Sequence, residues 1–324
     1  MKALVTGGAG YIGSIVAAAL VEEGHSVVVI DNLSAGRREA VPTGATFHQL
    51  SVGDAEQLAD VLSQSSFDVC FHFAGLIAAG DSMVTPEPFF TNNVGETLTL
   101  LRALVEASVE RFIFSSSATV YGEPLYTPID EEHRTQTVSP YGESKLLVEQ
   151  TLQWLARLGR LKYAALRYFN AAGAVGDRFE RHVPETHLIP LALATANGAR
   201  PVLELYGDDY PTPDGTCIRD YIHVADLATA HILAVDALDS HDALVCNLGS
   251  GTGSSNAEVI QAVRDVTGLD VAVNVSARRP GDPAILVAAN DRARSVLGWS
   301  PERSSLAQVV GDAWDALRAN AASS

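Results

Sequence analysis

The chain has 324 residues, is 47% hydrophobic, and carries 22 basic against 39 acidic residues for a formal net charge of −17. That length is ample for a large core and suggests two domains or one large α/β domain with an extension, while the charge argues against nucleic acid or an anionic membrane as a bulk partner. Cys70, Cys217 and Cys246 are scattered, odd in number and without CxxC spacing, so neither a disulfide framework nor a zinc site is expected and a reducing compartment fits. Met1 to Thr6 run straight into structure, with no signal-peptide layout and no apolar stretch long enough to span a bilayer. A soluble cytoplasmic protein is expected.

Ala3-Leu4-Val5 reads as a short buried strand, Gly7-Gly8-Ala9-Gly10-Tyr11-Ile12-Gly13 as a glycine loop, and Ile12 to about Glu23 as a helix. Glycines let a backbone bend tightly and approach a ligand, and the helix start offers unpaired N–H groups to a pyrophosphate. A second strand, Ser26–Ile30, ends at Asp31, where a carboxylate suits the ribose hydroxyls of NAD and repels the extra phosphate of NADP. Phe67–Phe73, closed by Ala74-Gly75, and Arg111–Phe114, closed by Ser115-Ser116-Ser117, continue the strands; Ala55–Leu62 and Asn93–Ala107 are the helices between. This alternation predicts a Rossmann-type doubly wound parallel sheet whose carboxyl-terminal strand edges carry the site, bringing Gly75, Asn92 and Ser117 to one crevice. His72, inside an apolar strand, reads as a core histidine.

Ser139-Pro140 is a helix start, and Tyr141 and Lys145, four residues apart, share a face of that helix. Only three lysines occur in the chain. An ammonium beside a phenol favours the phenolate, so a lowered Tyr141 pKa and acid/base work are expected; a surface pair is the plainer reading of the spacing alone. From about Ala171 the alternation fades. The expected organisation is an NAD-binding domain over 1–172 and a smaller carboxy-terminal α/β substrate domain over 173–324, with about 219–238 packing back on the first. Val245–Gly251 reads as a strand and glycine turn, Ser255–Thr267 as a helix, and Ala321–Ser324 as a frayed tail. Asp208-Asp209 and Asp130-Glu131-Glu132 read as solvated acidic loops, and no metal site is expected.

Thr6–Ser14, Asp31-Asn32-Leu33, His72–Leu76, Asn92-Asn93-Val94, Ser115–Gly122, Tyr141-x-x-x-Lys145 and Leu166–Asn170 resemble the extended short-chain dehydrogenase/reductase family. Pro184–Pro190, Leu205–Thr212, Asp214–Val224 and Arg278-Arg279-Pro280-Gly281-Asp282-Pro283 extend the likeness over nearly the whole chain, toward the branch that epimerises UDP-galactose at the sugar 4-position. The resemblance implies that Tyr141 removes the 4-hydroxyl proton while hydride passes to NAD, giving a 4-keto intermediate that turns over. Lys145 would hold the nicotinamide ribose and Ser117 would bond the reacting oxygen.

It further implies that NAD is contacted by Gly7, Gly10, Tyr11, Ile12, Gly13, Asp31, Asn32, Ser51, Val52, Phe73, Ala74, Gly75, Asn92, Ser115 and Tyr168, along with Tyr141 and Lys145. The UDP-hexose would meet Ser117, Tyr141, Phe169, Asn170, His187, Leu188, Arg219, Arg279, Asp282 and Leu286, the two arginines gripping its diphosphate. A homodimer through the Asn93–Ala107 and Tyr141–Arg157 helices is implied too. Departures touch binding detail: Ser51 stands where a carboxylate contacts adenine, Ile77 where some members carry Lys, and His187 where others have Asn. Ala118 and Thr119, neither an acid, argue against a 4,6-dehydratase. Leu286, in place of a bulky Tyr, keeps open an epimerase for UDP-N-acetylhexosamines, and UDP-uronates are a further alternative. The non-enzyme reading is an NAD-binding sensor of the same fold.

Overall fold

The computed structural model describes residues 1–279 and 282–323. From the amino terminus, β1 (Lys2–Thr6) leads into α1 (Tyr11–Glu22) and β2 (Ser26–Ile30), then β3 (Thr46–His48), α2 (Ala55–Ser63) and β4 (Val69–His72). Two short helices, α3 (Ala79–Ser82) and α4 (Glu87–Phe89), run through a π-helical stretch at Phe90–Glu96 into α5 (Thr97–Glu106). β5 (Arg111–Ser117), α6 (Pro140–Arg157) and β6 (Lys162–Tyr168) follow. The second half holds β7 (Asn170–Ala172), β8 (Ala174–Val175), β9 (Arg178–Phe179), α7 (Leu188–Ala196), β10 (Leu203–Tyr206), β11 (Ile218–His223) and α8 (Val224–Ala237). It ends with β12 (Ala243–Leu248), β13 (Gly253–Ser255), α9 (Asn256–Thr267), β14 (Val273–Ser276), β15 (Ile285–Leu286), α10 (Asp291–Leu297) and α11 (Leu306–Ser323).

Seven parallel strands form the main sheet in the order β3-β2-β1-β4-β5-β6-β12. The chain winds outward from β1 in one direction and from β4 in the other, so a crevice opens between their carboxyl ends, the place where open α/β sheets bind ligands. Strand side chains alternate between the two faces. Ala3 and Val5 enter one core with Val27, Val29 and Phe71 under α1 and α8; Leu4 enters the other with Val28, Cys70 and Phe112 under α2, α5 and α6. Both faces are covered, which is why these strands read as continuous apolar runs. The expected doubly wound α/β fold is the observed one.

A separate core, with Leu193, Leu205, Val259, Ile260, Val263 and Val309, binds α7, α9 and α11 around β10. Next to it β11 pairs antiparallel with β13 and parallel with β15 and β7. Residue 172 is not a clean cut. α8 supplies Leu227 and Ala230 to the core shared with α1, and the strand expected at Val245 in the carboxy-terminal domain instead completes the main sheet beside β6. The tail expected to fray at 321–324 is helical through Ser323, and Ser324 lies outside the described residues. Glu131, expected to be solvated, is buried and accepts from the Asn247 N–H at 2.7 Å, tying the 130–132 loop to β12.

Candidate active site

The turn between β1 and α1 is made of close approaches. Gly7 has φ 71°, and a Cβ there would lie 2.5 Å from the Ala74 backbone nitrogen. A Cβ on Gly13 would lie 2.3 Å from the Gly7 carbonyl oxygen. The loop therefore packs on the end of β4 and on itself in a way only glycine permits. α1 starts at Gly10 without a side-chain cap and without an acidic residue in its first turn, so its first N–H groups and the helix dipole are available to an anion. Asp31 is buried, held by the Ala9 N–H at 3.0 Å and the Leu33 N–H at 2.8 Å, and a carboxylate has further lone pairs for ribose hydroxyls. Asn32 accepts from the Ser34 N–H at 2.9 Å. These residues fit a dinucleotide: a bare cradle for diphosphate with a fixed carboxylate at its rim.

Farther along the crevice, Ser51 donates to Glu96 Oε2 at 2.5 Å and accepts from the Gly53 N–H at 3.0 Å, while Val52 buries its side chain in the core. A carboxylate thus stands beside the expected adenine position, supplied by Glu96 from another element. The Phe73 ring packs 4.9 Å from His231, whose Nδ1 bonds the Leu227 carbonyl at 2.7 Å and whose Nε2 meets the Tyr168 hydroxyl. At Gly75 a Cβ would stand 3.1 Å from Asn93 Oδ1 and 3.7 Å from Lys145 Nζ. Asn92 is half-buried; its neighbour Asn93 does the tying, accepting from the Leu76 N–H at 2.7 Å and donating to the Leu76 carbonyl and to Ser144 Oγ, each at 3.0 Å. Ile77 is exposed.

Ser139 caps α6 by accepting from the Gly142 N–H at 3.1 Å, and Pro140 presets the first turn. That start turns both Tyr141 and Lys145 inward, where both are buried. Lys145 Nζ donates to the Ser115 carbonyl at 2.8 Å and lies 5.9 Å from the Tyr141 ring centroid. Ser117, at the end of β5, accepts from the Thr119 N–H at 3.2 Å and hydroxyl at 2.9 Å. The expectation of a lowered Tyr141 pKa is corrected: burial raises it above the ordinary phenol value, with a hydrogen bond to Ser117 pulling the other way. Excluding water from a phenolate is the larger effect on Tyr141, and burial disfavours the neighbouring ammonium as well: Lys145 is lowered to about 8, with Glu149 opposing. His72 is the core histidine expected, bonded to Thr6 Oγ1 at 2.7 Å and Thr97 Oγ1 at 2.9 Å and pushed down to about 3 by burial.

On the far side of the crevice, Phe169 packs in a small core with Ala118, Val120 and Tyr121, and Leu286 covers it. Asn170 is half-buried opposite Tyr221 on β11, and Leu286 is opposite Arg219. Arg219 is buried and donates to the Ile218 carbonyl at 2.8 Å and to Asp282 Oδ1 at 2.5 Å. Arg279 is exposed, its guanidinium 4.0 Å from the Tyr206 ring centroid. The structure thus joins Arg219 with Asp282 and holds Arg279 on an aromatic face; Pro280 and Gly281 of the same motif lie outside the described residues. His187 precedes α7 and Leu188 opens it. Burial disfavours the His187 imidazolium, but the Glu185 hydrogen bond at 2.7 Å and the charges of Glu180 and Glu185 together raise its pKa.

Sequence reasoning missed the group beneath α6. Arg167 donates to Glu149 through Nε at 3.0 Å and Nη2 at 2.6 Å and to the Tyr121 hydroxyl at 2.9 Å, while Ser116 donates to Glu149 at 2.5 Å. The signal was available in Glu149, four residues beyond Lys145 on the same helical face. Asn93 carried no signal that set it apart from Asn92.

Residues 3–249 match the NAD dependent epimerase/dehydratase family. The chain is 49% identical over 315 residues to a UDP-glucose 4-epimerase of Streptomyces lividans, covering 97% of this chain and 95% of the relative. Among solved structures it superposes on a UDP-glucose 4-epimerase from Brucella ovis in complex with NAD, with a TM-score of 0.94, 44% identity and 97% of each chain covered. It also superposes on one from Stenotrophomonas maltophila with bound NAD and formylated UDP-arabinopyranose, with a TM-score of 0.96, 38% identity and 100% of each chain covered. By the length and identity of these matches, the chain belongs to the NAD-dependent epimerase/dehydratase family.

Proposed function

We propose that the chain interconverts UDP-galactose and UDP-glucose by inverting the sugar 4-position through a 4-keto intermediate, with NAD as its cofactor. The observation that carries this is the placement of Tyr141, Ser117 and Lys145, buried together at the strand ends beside the glycine cradle. NAD, when bound, takes up and returns the hydride, and its positive charge favours the phenolate. Tyr141 Oη takes the proton of the sugar 4-hydroxyl and returns it to the same oxygen once the keto sugar has turned its opposite face of C4 toward the cofactor. Ser117 Oγ, positioned through Thr119, donates to the reacting oxygen, and Lys145 holds the phenolate and the nicotinamide ribose.

Gly7, Gly10, Tyr11, Ile12 and Gly13 bind the NAD diphosphate, Asp31 and Asn32 the adenosine ribose, and Ser51 and Val52 the adenine edge. Phe73, Ala74, Gly75, Asn92, Ser115 and Tyr168 line the nicotinamide side. Arg219 uses N–H groups left over from Ile218 and Asp282 on the substrate diphosphate, with Arg279 closing from Tyr206. Asp282 meets the uridine ribose, and Phe169, Asn170, His187, Leu188 and Leu286 bound the rest of the UDP-hexose. The two functional parts proposed are 1–172 for NAD and 173–324 for UDP-sugar, the second lending 219–238 and β12 to the first.

No helix among the described residues is long and apolar enough to cross a membrane. A cytoplasmic homodimer is the form proposed, paired through α5 and α6, where Leu98 and Trp154 are exposed. Incubation of the purified protein with UDP-galactose is expected to yield UDP-glucose, and Tyr141→Phe to lower the rate by about 10²-fold or more. Absence of conversion with NAD demonstrably bound overturns the reading. Leu286 favours a wider pocket as a second reading: turnover of UDP-N-acetylgalactosamine is expected, and Leu286→Tyr is expected to suppress it while sparing UDP-galactose.

A further inference from the structure

We infer that Glu180, His182 and His187 form a binding site for one divalent transition-metal ion of the zinc class, beside the glycine loop. The three come from the segment that joins β9 to α7, Glu180-Arg181-His182-Val183-Pro184-Glu185-Thr186-His187. Their ligand atoms all lie within 4.8 Å of one another. Donors around a tetrahedral zinc, at bond lengths of ~2.1 Å, are spaced by roughly 3.4 Å, so Glu180 and His182, now in direct contact, separate slightly while His187 moves in from 3.9 Å.

Three observations point to a cation rather than to a self-contained polar cluster. His182 Nδ1 is in direct contact with the Glu180 carboxylate and, among the described residues, has no other polar partner. The ion pairs of Glu180 among the described residues are with His182 and with His187, the latter at 3.9 Å, and not with an arginine. The two arginines nearest in sequence are turned elsewhere: Arg178 to Asp177 at 3.2 Å, Arg181 to the Asp177 carbonyl at 3.1 Å and over the Phe179 ring. Glu185 has the place of an outer partner. It accepts from His187 Nδ1 at 2.7 Å and from the backbone N–H groups of Thr186 and His187 at 2.7 and 2.8 Å, which fixes the ring as metal-bound imidazoles are usually fixed.

Two imidazoles and one carboxylate select zinc and its first-row neighbours over magnesium or calcium, which prefer all-oxygen shells. Glu180 and His182 share a cavity of about 320 Å³ with Gly10 and Tyr11. A bound dication would offset carboxylate charge at the edge of the phosphate-binding loop. The sequence expectation of no metal weighed the acidic pairs, and this cluster lies outside them. Asp209 of those pairs is engaged by Arg278 at 2.6 Å.

The test is stoichiometric binding, which does not depend on the sugar turned over. The full-length protein is stripped with a chelator and titrated with ZnCl₂ by calorimetry, and with CoCl₂ by visible absorption. One equivalent with the absorption of a low-coordinate cobalt site is expected, with Glu185→Gln weakening it about 10-fold. Saturable binding is expected to vanish in both Glu180→Gln and His182→Gln and to persist in His241→Gln, a control at an exposed histidine. Circular dichroism establishes that the variants fold, and Glu180→Gln decides if His182→Gln does not. Absence of saturable zinc binding to the intact chain, or unchanged affinity in Glu180→Gln, overturns the site. Magnesium binding as tight as zinc overturns the assigned class.

Discussion

Lys145 is under two opposed influences. Burial removes water from its ammonium and lowers its pKa to about 8, while the Glu149 carboxylate, one helical turn on, pushes it back up. Arg167 grips both oxygens of Glu149 and fixes the carboxylate in place. If the ammonium is the working form, kcat/KM for UDP-galactose falls on the alkaline side with an apparent pKa near 8. Glu149→Gln removes the supporting charge, so the alkaline limb is expected to move to lower pH; a limb that stays put or moves up refutes the coupling. The same substitution leaves the Arg167 guanidinium buried without its counter-ion and is expected to cost about 3–5 kcal/mol in denaturant unfolding. The Tyr141–Lys145 spacing was legible because a helix places such positions on one face. The direction of the Tyr141 shift was not, because it depends on how much water the fold excludes, which four residues of spacing do not encode.

The β1–α1 turn shows how far an element can be read from local sequence. Its strand, glycines and helix are adjacent in the chain, and one of its tightest restraints is local as well: Gly13 lies against the Gly7 carbonyl. Gly13→Ala puts a Cβ 2.3 Å from that oxygen, so the loop must open and its N–H groups lose their aim. Purified Gly13→Ala is expected to retain its helix content by circular dichroism but to carry markedly less NAD by ultraviolet absorbance. Gly311→Ala, in α11 with nothing within 4 Å, is the control and gains up to ~1 kcal/mol from helix propensity. The second half was harder to read for the converse reason. β7, β11, β13 and β15 are short, and each is completed by a partner distant in the chain. β12 joins the main sheet across a long excursion, and that pairing left no mark in its own residues beyond an apolar run.

At the scale of the whole molecule, Trp154 is 60% exposed on α6 and Leu98 44% exposed on α5. If these faces pair in the proposed dimer, Trp154→Glu converts the protein to monomer in light scattering. Acid stability is governed by groups buried inside. His231 and His72 are buried, and burial lowers their pKa values to about 4 and about 3. Unfolding restores both toward about 6.5, so between that pH and about 4 the unfolded chain binds protons that the native chain refuses. Each histidine therefore contributes nothing to the pH slope above 6.5 and lowers stability progressively below it, on the order of 3 kcal/mol by pH 4. Glu131 and Asp220 act in the opposite sense, since burial raises their carboxyl pKa values and makes the native state the better proton acceptor. The total slope mixes these effects, and the difference between variants separates them. In urea unfolding followed from pH 7 to pH 4.5, His231→Gln is expected to lose stability less steeply than the parent, whatever its starting value. Parallel curves would show that His231 is protonated alike in both states and that its burial beneath Tyr168 does not set the acid limit.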